Sequence, residues 1–72
     1  MSDGEYLVMF DTHNGIPPRE VGRFLIEYGS IVLTRGPLVV SLLPHGKITP
    51  MTEMRIKNSL NNGYYHTVKS KE

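Results

Sequence analysis

The sequence contains no cysteine and no run of apolar residues near the length of a membrane-spanning helix. Without cysteine, disulfide bonds and thiolate metal sites are excluded. A spanning helix would need about 20 consecutive apolar residues, so no such helix is expected. The first ten residues also lack the basic region that opens a secretory signal. These absences favour a cytoplasmic protein without a membrane partner.

An excess of charge of one sign is missing as well. Eight Lys and Arg residues stand against seven Asp and Glu residues, which gives a net charge of +1. A nearly neutral chain lacks the strong positive field of proteins that bind nucleic acid without sequence preference. The acidic residues are concentrated early in the chain and the basic residues late. A basic surface formed by the second half therefore stays open as an alternative.

The 72 residues are enough for one domain, residues 1–72. A domain of this size buries only about 60% of the surface that its unfolded chain exposes. Packing, a partner or self-association has to supply the remaining stability. Clusters of glycine, proline and asparagine interrupt the chain often and divide it into six segments.

Four of these segments are predicted to be β-strands, because they are rich in β-branched, aromatic and other apolar residues. The third and fourth flank the short turn "RGP", which predicts a β-hairpin. The sixth is the most polar, as is typical of an edge strand. The predicted strands are Glu5–Phe10, Ser30–Thr34, Leu38–Leu43 and Tyr64–Lys69.

The second and fifth segments are predicted to be helices. In Pro17–Tyr28, apolar residues recur at the spacing of one helix face, proline suits the first helical turn, and Gly29 suits the C-terminal cap. In Pro50–Asn61, Thr49 is a suitable N-cap and Pro50 occupies the first helical position. The apolar residues of this second helix are Met51, Met54, Ile56 and Leu60.

The resulting order, β-α-β-β-α-β, predicts a ferredoxin-like α+β sandwich. Right-handed crossovers would place both helices on one face of a four-stranded antiparallel sheet, with the first and fourth segments in the centre. The other face would keep several large apolar side chains, more than a monomer usually exposes in one patch. We therefore expect a partner on that face, either a second copy in a homodimer or another protein. Shielding by the sheet's own long side chains is the alternative.

The stretch "FDTHNG" follows the first predicted strand and contains a carboxylate, an imidazole and an amide. The segment "YLVMFD" resembles the start of ferredoxin-like nucleases of the Cas2 family. That resemblance implies a metal-dependent nuclease that pairs Asp11 across a dimer. The alternative is a turn, because Asp, Thr and Asn bond the local backbone and Gly15 allows unusual torsion angles. The turn is the favoured interpretation, and no metal site is predicted.

No nucleophile motif and no cofactor motif is present in the sequence, which favours a non-enzymatic protein that needs no cofactor and no small-molecule substrate. We expect a regulator or inhibitor of a larger machine that acts by protein–protein contact. Accessory proteins of phages and mobile elements, including those that act on nucleic-acid-handling machines such as transcription, are often of this kind.

Arginine is common at the energetic centres of protein interfaces, so the exposed side of the first predicted helix and the hairpin tip are the candidate contact sites. These candidates are Arg19, Arg23, Glu27 and Arg35. The alternative is nucleic-acid binding, in which aromatic side chains stack on bases and basic side chains meet phosphates. Its candidates are Arg55, Lys57, Tyr64, Tyr65, Lys69 and Lys71.

Overall fold

A computed structural model describes residues 1–70 as one antiparallel sheet of five strands with two short helices. The strands lie side by side in the order β4-β3-β2-β1-β5. The elements in chain order are β1 (Gly4–Phe10), β2 (Arg19–Glu27), β3 (Ser30–Arg35), α1 (Pro37–Leu42), β4 (Gly46–Lys47), α2 (Pro50–Leu60) and β5 (Tyr65–Lys69).

The predicted ferredoxin-like sandwich is therefore wrong. The segment predicted as the first helix forms strand β2, at the centre of the sheet. The segment predicted as the fourth strand forms helix α1. A further two-residue strand, β4, pairs with the start of β3. Three consecutive strands joined in an antiparallel meander replace the first βαβ unit.

The apolar residues of β2 fit both the spacing of one helix face and the alternation of a strand, which explains why a helix was predicted for this segment. Gly22, Phe24 and Ile26 alternate toward the core, while Arg23 and Leu25 point to the other face. Glycine inside a helix costs about 1 kcal/mol relative to alanine. It is no better in a strand, but here Gly22 lets Val39 pack closely against β2. Pro17 and Pro18 lie in the loop before the strand instead of in a first helical turn.

Helix α1 begins with Pro37 at a first-turn position, directly after Gly36. Its apolar residues recur at i, i+1, i+4 and i+5, which puts them on one helical face. Val39 and Leu43 at this face are fully buried, and Leu38 and Leu42 pack against the same core. The run of valines suggested a strand, but packing against β2 and β3 decides the structure of this segment.

The strand predictions for the first, third and sixth segments are confirmed, and so is the second predicted helix. The sixth segment, β5, lies at an edge of the sheet as expected. At the start of α2 the hydroxyl of Thr49 accepts the amide of Thr52, and the hydroxyl of Thr52 accepts the amide of Thr49. Met51 and Met54 lie on the exposed side of α2, because Ile56 and Leu60 form its buried side.

A single core lies between the sheet and the helices, and both helices cover the same face of the sheet. The rings of Tyr6 and Phe24 stack in this core with centroids 5.3 Å apart. The buried residues are Tyr6, Val8, Phe24, Ile26, Ile31, Val39, Leu43, Ile56 and Leu60. Neither helix of the described part, residues 1–70, has the length and apolar character needed to cross a membrane.

Candidate protein-binding surface

The helices leave one face of the sheet uncovered, and we call it the open face. Side chains alternate between faces along a strand, and directly opposite residues on neighbouring strands share a face. Starting from the positions that are buried in the core, we used the strand pairing to identify the residues on the open face. They are Glu5, Leu7 and Met9 of β1, Glu20, Arg23, Leu25 and Glu27 of β2, Ser30, Leu33 and Arg35 of β3, Lys47 of β4, and His66 and Val68 of β5.

Four aliphatic side chains form a diagonal stripe across the open face, which we call the apolar band. Leu33 lies directly opposite Leu25, and Leu7 lies directly opposite Val68. The two pairs are offset by two residues along the strands, because Leu25 faces Glu5 and Leu7 faces Arg23. Leu33 and Val68, at the two ends of the band, are each 45% exposed.

Opposite charges flank the two sides of the apolar band. On one side, Arg23 is directly opposite Arg35, which places two guanidinium groups next to each other. On the other side lie Glu5, opposite Leu25, and Glu27, two residues beyond Leu25 on β2. Each side also holds one opposite charge, since Glu20 pairs with Arg23 on the first side and Lys47 lies opposite Ser30, the neighbour of Glu27, on the second. The open face therefore has an apolar centre with a mainly basic side and a mainly acidic side.

Arg23 is held in place by two carboxylates. Its Nε and Nη2 atoms each donate to Glu20 at 2.9 Å, and its Nη1 donates to Glu5 at 3.3 Å. The hydrogen bonds to Glu20 raise the pKa of the Arg23 guanidinium above its usual value. Within residues 1–70, neither Arg35 nor Glu27 forms an ion pair. These two charges are available to a partner.

The structure redistributes the four residues that the sequence suggested as contacts. Arg23, Glu27 and Arg35 share the open face, although on strands instead of on a helix and a hairpin tip. Arg19 pairs with Phe10 at the start of β2 and lines a separate cleft. Leu25 was missed because the helical interpretation placed it in the core. The alternation of β2 is the signal that could have identified it.

Parts of both edges of the sheet are occupied by other groups of the chain, which leaves less backbone for a partner strand to pair with. Beside β5, the Asn61 side chain accepts the amide of Thr67 at 2.9 Å, and Asn62 accepts the amide of Tyr65 at 3.1 Å. The amide of Asn62 also donates to the carbonyl of Tyr65. Protected edges of this kind prevent edge-to-edge association.

At the other edge, β4 pairs with Ser30 and Ile31 at the start of β3. Toward the end of β3, the imidazole of His45 lies 3.3 Å from the hydroxyl of Thr34. The chain leaving α1 thus passes along the part of this edge that β4 does not reach.

The residues proposed for nucleic-acid binding are spread over several surfaces. Tyr65 packs on the ring of Phe10 at 5.0 Å, and it is partly buried. Lys69, at the far end of β5, donates to the hydroxyl of Ser2 at 2.8 Å. Arg55 lies on α2 and donates to the Leu42 carbonyl, Lys57 lies on the same helix, and Tyr64 lies in the loop before β5. Lys71 is outside the described residues.

Asp11 lies in a turn that bonds its own backbone and the loop before β5. Its carboxylate accepts the amide of His13 at 2.8 Å, and its own amide donates to the Tyr64 carbonyl at 2.8 Å. His13 in turn contacts the Gly63 carbonyl and the edge of the Tyr64 ring. Across residues 1–70, no three His, Asp or Glu side chains gather as a metal site would require. These contacts favour the turn interpretation of "FDTHNG".

Comparison of the chain with models of protein families, with curated proteins and with solved structures gives no match, so function has to be argued from the surface described above.

Proposed function

We propose that this protein is a non-enzymatic binding protein that regulates or inhibits a larger machine by protein–protein contact through its open face. The observation that supports the proposal best is the apolar band with charged groups on both sides. In this proposal the protein acts in the cytoplasm. A phage or mobile-element accessory protein that acts on a nucleic-acid-handling machine would fit the description.

The composition of the open face resembles the centre of a protein interface. Apolar side chains exclude water at such a centre, and arginine is enriched among the residues that contribute most to binding. Here Arg23 is already oriented by Glu20 and Glu5, so little side-chain freedom is lost when a partner covers it. Arg23 also lies on the central strand, which is hydrogen-bonded to a neighbour on both sides.

Site-specific photo-cross-linking in cells of the source organism tests this proposal. A photoreactive amino acid at Leu33 is expected to give an adduct with a second, different protein. The same probe at Val40, an exposed residue on α1, is the control and should give no such adduct. Introducing Leu25→Asp into the Leu33 probe variant should abolish the adduct. Equal adducts from both positions, or adducts only between copies of this chain, would contradict the proposal.

A further inference from the structure

We infer that a second copy of this chain packs on the open face, sheet against sheet, around a two-fold axis that runs along the apolar band. The inference rests on the proposed function, which makes the open face a contact surface, and it names what covers that face in the purified protein, where the different protein is absent. It depends on how the open face would fit a copy of itself.

The two-fold axis exchanges the two sides of the apolar band. Arg23 and Glu5 lie on opposite sides of the band, on neighbouring strands and two residues apart along them. Leu25 and Leu7 have the same separation, but along the band. Neighbouring strands are about 4.8 Å apart, and two residues along a strand span about 6.8 Å. With these spacings, rotation about the band places Arg23 of one copy over Glu5 of the other. Within each copy Arg23 already donates to Glu5 at 3.3 Å, so this contact brings two existing ion pairs together, and the new charge pairing comes from Arg35 and Glu27.

The same two-fold rotation also brings Arg35 to an acidic position of the second copy. Rotation carries it over the gap between Glu5 and Glu27 of the second copy, and the symmetric contact forms at the same time. Neither Arg35 nor Glu27 has an ion-pair partner within residues 1–70, so the contact does not have to break an existing pair. Facing sheets are about 10 Å apart, a separation that opposing Arg and Glu side chains bridge.

The apolar residues lie on the axis and therefore meet their own counterparts. Leu25 and Leu33 face the same two residues of the second copy at one end of the band. Leu7 and Val68 do so at the other end. The diagonal course of the band makes the strands of the two sheets cross at a steep angle, which corresponds to the orthogonal class of sheet packing.

A second copy fits this surface for a specific reason. An unrelated partner would have to present an apolar diagonal with acidic and basic sides in the matching order. This chain carries that pattern itself, with Arg23 and Arg35 on one side and Glu5 and Glu27 on the other. The same axis places the two Asp11 turns at opposite margins of the dimer, so this dimer does not build a paired-aspartate metal site.

Sedimentation analysis of the purified full chain, over a range of concentrations, tests the inference. The wild type is expected to form a dimer. Arg35→Glu should weaken dimerisation about tenfold or more, because like charges then meet twice across the axis. Glu27→Arg should weaken it for the same reason. An equimolar mixture of the two variants should restore dimers, since each copy then supplies the charge that the other lacks.

Arg55→Glu is the matched control, because Arg55 is an exposed arginine on α2, away from the open face. It should dimerise like the wild type. Circular dichroism will confirm that each variant is folded, and Leu33→Asp provides a second route to a monomer. A monomeric wild type, or a variant mixture that stays monomeric, would overturn the inference. The cross-linking test is read separately, because the proposed function fails if Leu33 captures no different protein or if Val40 captures it equally, whether or not the purified chain dimerises.

Discussion

Glu20 and Arg23 are three residues apart on β2, yet both side chains lie on the open face and form a two-point ion pair. In a regular strand an odd separation puts side chains on opposite faces. The register between β1 and β2 shifts at this point: Val8 pairs with Gly22, whereas Met9 pairs with Glu20. Val21 is the extra residue of this β-bulge, and it turns Glu20 toward Arg23.

The bulge has a second consequence, for the packing of α1. At the bulge, the turn from β3 to α1 crosses β2 so closely that a methyl group on Gly36 would lie 2.5 Å from the Val21 carbonyl oxygen. Bulges re-aim side chains and end regular pairing in this way. The charge arrangement of one face and the helix packing of the other thus depend on the same irregularity.

Gly22→Ala is expected to destabilise the fold by about 1–3 kcal/mol, the range observed for overpacked cores. The added methyl group would lie 2.6 Å from Cγ2 of Val39 and 2.8 Å from the carbonyl oxygen of Arg35. Urea unfolding followed by circular dichroism measures the loss. Val40→Ala changes an exposed residue of the same helix and should have little effect. A Gly22→Ala variant as stable as the wild type would show that α1 does not pack closely on β2.

Tyr28→Asn is expected to stabilise the protein by about 1 kcal/mol. Tyr28 and Gly29 form the two-residue turn between β2 and β3 with φ values of 53° and 73°, and asparagine accepts positive φ more readily than tyrosine. The tyrosine side chain is 95% exposed, so the substitution removes no packing. Thermal unfolding measures the gain. Tyr28→Ala is the control, and an equal gain from alanine would mean that the backbone conformation is not the cause.

Asp11→Asn is expected to leave the fold intact, because an amide oxygen can accept the His13 amide just as the carboxylate does. We also expect no nuclease activity in either the wild type or the variant when Mg²⁺ or Mn²⁺ is added. Incubation with single- and double-stranded substrates, followed by gel analysis, is the measurement. Metal-dependent cleavage that Asp11→Asn removes would instead support the nuclease alternative.

Patterns that depend on one segment alone were predictable from the sequence. Thr49 and Pro50 mark the start of α2, and the hydroxyl contacts of Thr49 show the physical reason. The apolar run of β1 predicted a strand, and the polar residues after it predicted a turn at Asp11. Both elements are present. An uncovered sheet face with apolar side chains was expected from the first and fourth segments. Only the first contributes, through Leu7 and Met9, because the fourth forms α1, and Leu33 was not foreseen.

What could not be predicted depends on contacts between distant segments. Proline suits a first helical turn, but this preference does not decide the structure at either position. The chain forms a loop at Pro17, and a helix begins at Pro37. Only packing of Val39 against Gly22 distinguishes these cases. The bulge at Val21 has no local sequence signal, so the joint position of Glu20 and Arg23 could not be foreseen.

The most direct test of the open face as the contact surface is a dilution series of two-dimensional amide NMR spectra on the purified protein. Our account predicts concentration-dependent shifts at Leu7, Leu25 and Leu33, with the amides of Met51 and Met54 on the exposed side of α2 unchanged. Shifts confined to α2, with the open-face amides constant, would contradict it.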